Sequence, residues 1–344
     1  PALLISYFAK YHKTTFRCLF HSRICDRNFL DTSPFGSFDL LKEKFHEENF
    51  VIGDKAKEEA SNFLNAFRQK PVSPDYSSYL LNNRDNILKD LIFYVAYFLI
   101  FNLKFILPKG FRQKLTKDKM RHKLFYFKRN FLKLFLRKNF RNEIPNQKFV
   151  FFPLHVDPES STMVLSPFHT NQLALIENLS KSIPSDHVLV VKEHIPMIGF
   201  RPRNFYKTIM SFPRVILVSP QFDQFSLISK ASFICSITGT AGLEGLLLRK
   251  KVLLIAKDTP FSFFKKGLIV ETDISKLRQS FENLTNINHL DDESILKYLG
   301  IIFQDSFKMN TGLLWEKYDE QPKEEKDSFI TELTDQINTL INLQ

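Results

Sequence analysis

Phe233-Ile234-Cys235-Ser236-Ile237-Thr238-Gly239-Thr240-Ala241-Gly242-Leu243-Glu244 runs from an apolar β-type segment straight into small residues that open a helix. Two earlier segments end in a related way. Phe149-Val150-Phe151-Phe152 leads into Pro153-Leu154-His155-Val156-Asp157-Pro158-Glu159, and Val188-Leu189-Val190-Val191 leads into Lys192-Glu193-His194. Open α/β sheets bind ligands beyond the carboxyl ends of their strands, so the three polar tips predict one cleft built from several loops.

Outward from these segments the chain alternates strand and helix patterns. Strands are expected at about 148–153, 187–192, 214–218, 233–237 and 252–255, and helices at about 170–182, 222–230, 242–249 and 273–285. Apolar runs of this length joined by helical crossovers predict an α/β fold with a parallel sheet covered on both faces. The three cysteines, Cys18, Cys25 and Cys235, fit no disulfide framework and no common zinc spacing, which makes a reducing compartment the default. Cys235, inside an apolar run, reads as a small buried side chain.

Each tip offers chemistry. In Thr238 to Glu244 the small residues let backbone N–H groups approach a phosphate at a helix start, and Glu244, one turn in, suits ribose hydroxyls. A plain tight turn would account for the same residues, and neither the dinucleotide fingerprint nor a P-loop is present. In Lys192-Glu193-His194 three polar side chains at a strand end must face water or a ligand. His194 can donate to a phosphate oxygen or act as an acid, Arg201 can pair with an anion, and a structural histidine is the plain alternative. His155, Asp157 and Glu159 alternate, but Pro158 argues against a regular strand face and so against a metal site; acceptor activation or loop bracing is favoured. No G-x-S-x-G elbow accompanies Ser160 and Ser161, which excludes a Ser–His hydrolase of that type.

The remaining chain divides by composition. Residues 1–90 read as an N-terminal domain, with Ala60, Phe63, Leu64 and Phe67 at helix spacing and no chemical motif. The chain opens on Pro1 without a leader pattern, so a trimmed or incomplete N-terminal domain is expected. Residues 91–147 form an apolar then basic helical segment. The apolar part, Leu91 to Leu107, is 17 residues long and carries Asn102 and Lys104, and it reads as a membrane-surface or acceptor-cleft helix, a core helix or a short span. Between Lys109 and Arg141 thirteen Lys or Arg stand against one acid, Asp118, so +12 of charge is confined there while the whole chain carries +11. With Leu124, Phe127, Phe131 and Leu134 on one stripe, residues 91–141 suit an anionic membrane surface; a solvated helix packing its Phe stripe on the core is the alternative, and nucleic acid is not expected. Residues 148–290 hold the strand–helix alternation, and 291–344 the C-terminal helices.

Taken in order, Phe151-Phe152-Pro153-Leu154-His155 with Pro158-Glu159, Lys192-Glu193-His194 with Gly199-Phe200-Arg201, and Thr238 to Glu244 resemble the capsule polysaccharide biosynthesis/export family, whose members look like GT-B glycosyltransferases, some similar to Kdo transferases. The resemblance covers about 149–256. It implies two Rossmann-like domains, the C-terminal one complete and the N-terminal one either complete or truncated. It also implies that His194 contacts the donor phosphates, that Thr238, Gly239, Thr240 and Gly242 surround the nucleotide, that Glu244 binds ribose or base, and that His155 and Glu159 lie on the cleft wall. The binding candidates are then these loop residues with Lys192, Glu193, His194 and Arg201, and the catalytic candidates His155, Asp157, Glu159 and His194. No metal and no separate cofactor are implied, the donor being a nucleotide sugar, CMP-linked by preference. Two departures stand out: Ile195 separates His194 from Pro196, and Gly245 replaces the usual Ala after the loop glutamate.

The expectation is therefore a metal-independent glycosyltransferase of surface polysaccharide biosynthesis, acting on a glycan or lipid-linked acceptor at the cytoplasmic face of a membrane as a peripheral protein. A nucleotide-sugar epimerase or hydrolase of similar fold, or a non-catalytic polysaccharide export or assembly protein, are the alternatives.

Overall fold

The computed structural model describes residues 2–36, 38–72, 87–102, 140–202, 204–308 and six isolated positions between 327 and 338. In chain order the elements are α1 (Ala2–Tyr11), β1 (Cys18–His21), β2 (Arg27–Asp31), α2 (Asp39–His46), α3 (Asp54–Gln69) and α4 (Ile87–Asn102). Then follow β3 (Lys148–Pro153), α5 (Gln172–Ser182), β4 (His187–Lys192), α6 (Phe205–Ser211), β5 (Val215–Val218), α7 (Gln224–Lys230), β6 (Phe233–Ser236) and α8 (Thr240–Leu247). The series closes with β7 (Lys251–Leu254), β8 (Leu268–Val270), α9 (Leu277–Asn286), α10 (Asp292–Asp305) and β9 (Phe307–Lys308).

Six strands, β3 to β8, form one parallel sheet in the order β5-β4-β3-β6-β7-β8. The chain first builds outward from β3 through β4 to β5, then returns to the other side of β3 and continues through β6, β7 and β8. This is the doubly wound Rossmann order, and its switch point lies between β3 and β6. The expected parallel α/β domain is thus observed, with five strands within about a residue of the segments read from the sequence. Strand β8 and helix α6 had no clear sequence signal, being only three and seven residues long.

Strand β3 explains why the sheet closes here. Phe149, Val150, Phe151 and Phe152 are 2% exposed or less, and β3 is paired along both edges. Successive side chains leave opposite faces of a strand, so Phe149 and Phe151 join one core while Val150 and Phe152 join the other. Burying a Phe contributes roughly 1.5–3 kcal/mol, so this short strand anchors both layers. Helices α5, α6 and α9 cover one face through Leu175, Ile176, Leu179, Ile209, Phe281 and Leu284; α8, α10 and α3 cover the other through Leu243, Leu246, Tyr298, Leu299, Ala60 and Leu64.

The N-terminal residues pack onto that second layer. Strands β1 and β2 form an antiparallel hairpin that β9 extends, giving a three-stranded sheet in the order β1-β2-β9. Helix α3 lies against α10, and Arg68 ties its end to two neighbours, donating to the Leu247 carbonyl at 2.9 Å and to both oxygens of Asp292 at 2.7 and 2.9 Å. Among the described residues there is one parallel sheet, and residues 18–69 contribute a hairpin and helices to its domain. The chain rejoins the sheet at Arg141, which bridges Val218 at the β5 edge.

The apolar stretch read at 91–107 is helical to Asn102, with Leu91, Ile92, Val95, Phe98, Leu99 and Ile100 exposed. Among the described residues no helix is long and apolar enough to cross a membrane. The basic segment lies almost wholly at 103–139, outside the described residues.

Gly245, the departure noted above, has a packing reason. A Cβ there would sit 3.0 Å from Ile234 Cγ1 and 3.4 Å from Val252 Cγ2, so the glycine lets α8 lie close on β6 and β7. Gly245→Val should lower stability by about 1–3 kcal/mol through overpacking, read as a lower urea midpoint with an unchanged slope.

Candidate functional site

The sheet order places the tips of β4, β3 and β6 side by side, at the switch point where open α/β sheets bind ligands. All three polar constellations read from the sequence therefore meet in one place. Their side chains divide into those that build the loops and those that do not.

Glu193 belongs to the first group. It is 1% exposed and faces Arg201, whose Nε donates to Oε2 at 2.8 Å and whose NH2 donates to Oε1 at 2.9 Å. The Tyr206 hydroxyl donates to Oε2 at 3.0 Å and the His194 amide to Oε1 at 2.7 Å. Arg201 NH2 also donates to the His155 carbonyl at 2.6 Å, tying the β4 tip to the β3 tip. The sequence reading gave Glu193 and Arg201 to the ligand; the structure corrects this, since the anion that Arg201 grips in its fork is Glu193 and the carboxylate's acceptor sites are filled. Burying both charges is tolerable because they satisfy each other, and the pair positions the loop.

His155, 7% exposed, lies under the glycine loop, with Nε2 accepting from the Thr238 amide at 3.4 Å. Gln172 holds its backbone, accepting from the His155 amide at 2.8 Å and donating to its carbonyl at 3.2 Å. Burial pushes the imidazole down to about 3, with Arg23, His194 and Arg201 adding to the effect and a backbone contact at Pro153 opposing it. His155 is thus a neutral prop for the loop. Asp157 and Glu159 part company with it: both are exposed, and the Glu159 carbonyl accepts the amides of Thr162 and Met163 at the helical turn Ser160–Met163. Of the expected catalytic candidates His155, Asp157, Glu159 and His194, Asp157 and Glu159 are therefore set apart, because the chain turns away after His155.

The glycine loop needs its glycine. A Cβ on Gly239 would come within 2.8 Å of Ser236 Oγ and 3.0 Å of His155 Nε2, so only glycine passes between them. Ser236 Oγ accepts the Gly239 amide at 2.9 Å. Helix α8 then starts with no side chain capping its first turn. Thr238, fully buried, keeps its Oγ1 without a hydrogen-bond partner among the described residues. Gly242 permits packing instead, since a Cβ there would meet Phe261 at 3.2 Å and Leu254 at 3.3 Å. Thr240, at the first turn of α8, is half-buried.

Lys192, His194 and Glu244 lie outside the Glu193–Arg201 ion pair. Glu244 is 4% exposed and accepts from Gln224 Nε2 at 2.7 Å through Oε2. Burial raises its carboxyl to about 7, against the pull of Gln224 and Lys192. Burial also lowers the Lys192 ammonium, opposed by the charges of Asp223, Glu244 and Glu193. His194 is pushed down to about 4, first by burial and then by Lys192 and Arg201. Lys192 thus feels Glu244, and His194 feels Lys192, which puts the β4 tip and the start of α8 on one cleft. Arg23, from the tip of the β1–β2 hairpin, escaped the sequence reading: its NH1 donates to the Thr238 carbonyl, bringing a third cation to the loop. No local motif marks it, because it reaches the site only through the docking of the N-terminal hairpin. Cys235 is fully buried as expected, and burial raises its thiol.

Residues 119–268 match the family model described as capsule polysaccharide biosynthesis protein. The match spans 150 of the chain's 344 residues. All three tips lie within the capsule-family segment, whereas Arg23 and α3 lie outside it. Among solved structures the chain is similar to Thermosulfurimonas dismutans KpsC, as a beta Kdo 2,7 transferase, with 13% identity and TM-score 0.44 over 86% of this chain and 72% of that one. A beta Kdo 2,4 transferase of the same KpsC gives 13% and 0.44 over 85% and 81%. UDP-GlcNAc 2-epimerase from Neisseria meningitidis, bound to UDP-GlcNAc, gives 20% and 0.31 over 46% and 43%. No curated protein matches.

The buried His155 imidazole makes stability depend on pH with a definite sign. With a folded value near 3 for His155 against an ordinary 6.5, the unfolded chain holds a proton that the folded chain does not, so stability falls as pH drops below about 6.5. Glu244 acts oppositely, its contribution being full below about 4.5 and lost as pH rises through about 7. His155→Gln should flatten the acid limb by up to about 1.4 kcal/mol per pH unit, measured by urea titrations at pH 4.5, 5.5 and 6.5.

Proposed function

We propose that the chain is a glycosyltransferase of capsule or surface polysaccharide biosynthesis. It moves a sugar from a nucleotide donor, CMP-linked by preference, onto a glycan or lipid-linked acceptor, without a metal ion. The observation that carries this reading is the coincidence of the capsule-family segment with a cleft at the switch point of a Rossmann sheet, where cations and an uncapped helix start surround a glycine loop.

The chemistry follows from the charges. A donor phosphate leaves carrying negative charge, which donors fixed in advance stabilise better than water that must reorient. Lys192, Arg23, the first turn of α8 and the N–H of a neutral His194 provide such donors. A neutral His194, its imidazole lowered to about 4, is a hydrogen-bond donor; a phosphate beside it would raise its affinity for a proton and allow it to protonate the departing oxygen. Glu244 offers hydrogen-bond acceptors to the nucleoside. The exposed apolar surface of α4 and the basic residues after it would hold the enzyme peripherally on an anionic cytoplasmic membrane face near a lipid-linked acceptor.

His194→Ala should reduce transfer from a CMP-sugar by about 10²-fold or more, with circular dichroism and thermal midpoint unchanged. Transfer at the parental rate would overturn the assignment. Release or isomerisation of the sugar without acceptor would replace it with a hydrolase or epimerase.

A further inference from the structure

A cavity of about 230 Å³ opens between α3 and α8, beside the glycine loop and mostly outside the capsule-family segment. One wall is aromatic: Phe63 and Phe67 stack on each other at 5.8 Å, facing Leu243 and Leu247 of α8. The hairpin tip supplies Ile24 and Arg23, and Lys70 stands at the rim. Glu244 also lines the cavity, and with Oε2 taken by Gln224 its Oε1 has no hydrogen-bond partner among the described residues.

The walls are fixed in place. Arg68 joins α3 to the end of α8 through the Leu247 carbonyl, and Arg23 joins the hairpin tip to Thr238. The tip itself is braced by Ser22 Oγ, which accepts the Ile24 amide at 3.1 Å, and by His21 Nδ1, which accepts the Arg23 amide at 2.9 Å. A preformed apolar slot with a few convergent polar groups is the usual form of a small-molecule site. Its chemistry narrows the occupant. An acyl chain would leave the open oxygen of Glu244 buried without a partner. A flat heteroaromatic ring can lie on the Phe wall while its polar edge or its sugar hydroxyls satisfy that oxygen.

We propose that this cavity takes the nucleoside of a nucleoside 5′-phosphate, with the ring against Phe63 and Phe67, hydrogen-bond donors directed at Glu244, and the phosphate between Arg23 and the start of α8. The inference rests on the glycosyltransferase reading and deepens it. The N-terminal segment becomes part of the donor site, and a fragment limited to the family segment would lack half the nucleoside's walls.

Cys25, exposed at the mouth of the cavity, is a built-in reporter. The experiment uses the full chain with CMP, UMP and GMP as probes, measuring affinity by calorimetry and the alkylation rate of Cys25 by mass spectrometry. The nucleotide that binds should slow alkylation of Cys25. Ala66→Trp, at an exposed position of α3 where the indole would fill the slot, and Arg23→Met should each weaken binding about tenfold or more. If either variant unfolds, the other and the protection of Cys25 in the parent chain decide. Equal affinity in parent and variants with no protection of Cys25, while His194→Ala loses binding, would overturn the cavity assignment and leave the transferase reading standing. No binding of any of the three nucleotides would overturn both.

Discussion

The double-sided burial of β3 is the constraint on which the molecule depends. A strand in the centre of a parallel sheet has no edge free and no face in water, so it must be apolar at every position, as Phe149 to Phe152 are. Because β4 joins one edge and β6 the other, the loops after these three strands emerge together. The cleft is thus a by-product of how the core closes. Residues that would be costly to bury appear as soon as the strands end, and they appear there on three neighbouring strands at once.

What happens at those ends is a sorting of charge. Within the Lys192-Glu193-His194 tripeptide, alternation sends Glu193 to the side of Tyr206 and Arg201, where it is neutralised, and leaves Lys192 and His194 on either side of it to face other groups. The Glu193–Arg201 pair holds two loops at a fixed spacing, and with Gln172 it presents His155 under Gly239. The result is a loop whose shape is set by buried polar bonds, with Arg23 on its Thr238 carbonyl and Lys192 at the neighbouring strand tip. Such a loop has few internal anions to compete with a phosphate: Glu193 is consumed, and Glu244 is raised by burial.

The N-terminal segment changes the view of where this site ends. Its hairpin and α3 share a core with α10 and α8, so a region with no motif of its own supplies Arg23 and an aromatic wall. Local sequence could not show this. The contacts between Arg23 and Thr238 span 215 residues, and nothing within the window around Ser22-Arg23-Ile24 distinguishes that arginine from any surface cation.

The sequence by itself determined the alternation of strands and helices from 148 onward, the burial of Cys235, and the three places where polar chemistry follows an apolar run. Those properties are local: period, composition and the abrupt change from apolar to polar are all written within a dozen residues. Tertiary structure alone decided which polar residues are spent on one another. Glu193 and Arg201 looked available as ligands until their side chains were brought to 2.8 Å, and Asp157 and Glu159 looked like companions of His155 until the backbone turned them outward. Tertiary structure also decided the use of residues 18–69, because the free energy of burying charged and polar groups depends on which distant partners arrive beside them, and no short window of sequence contains that information.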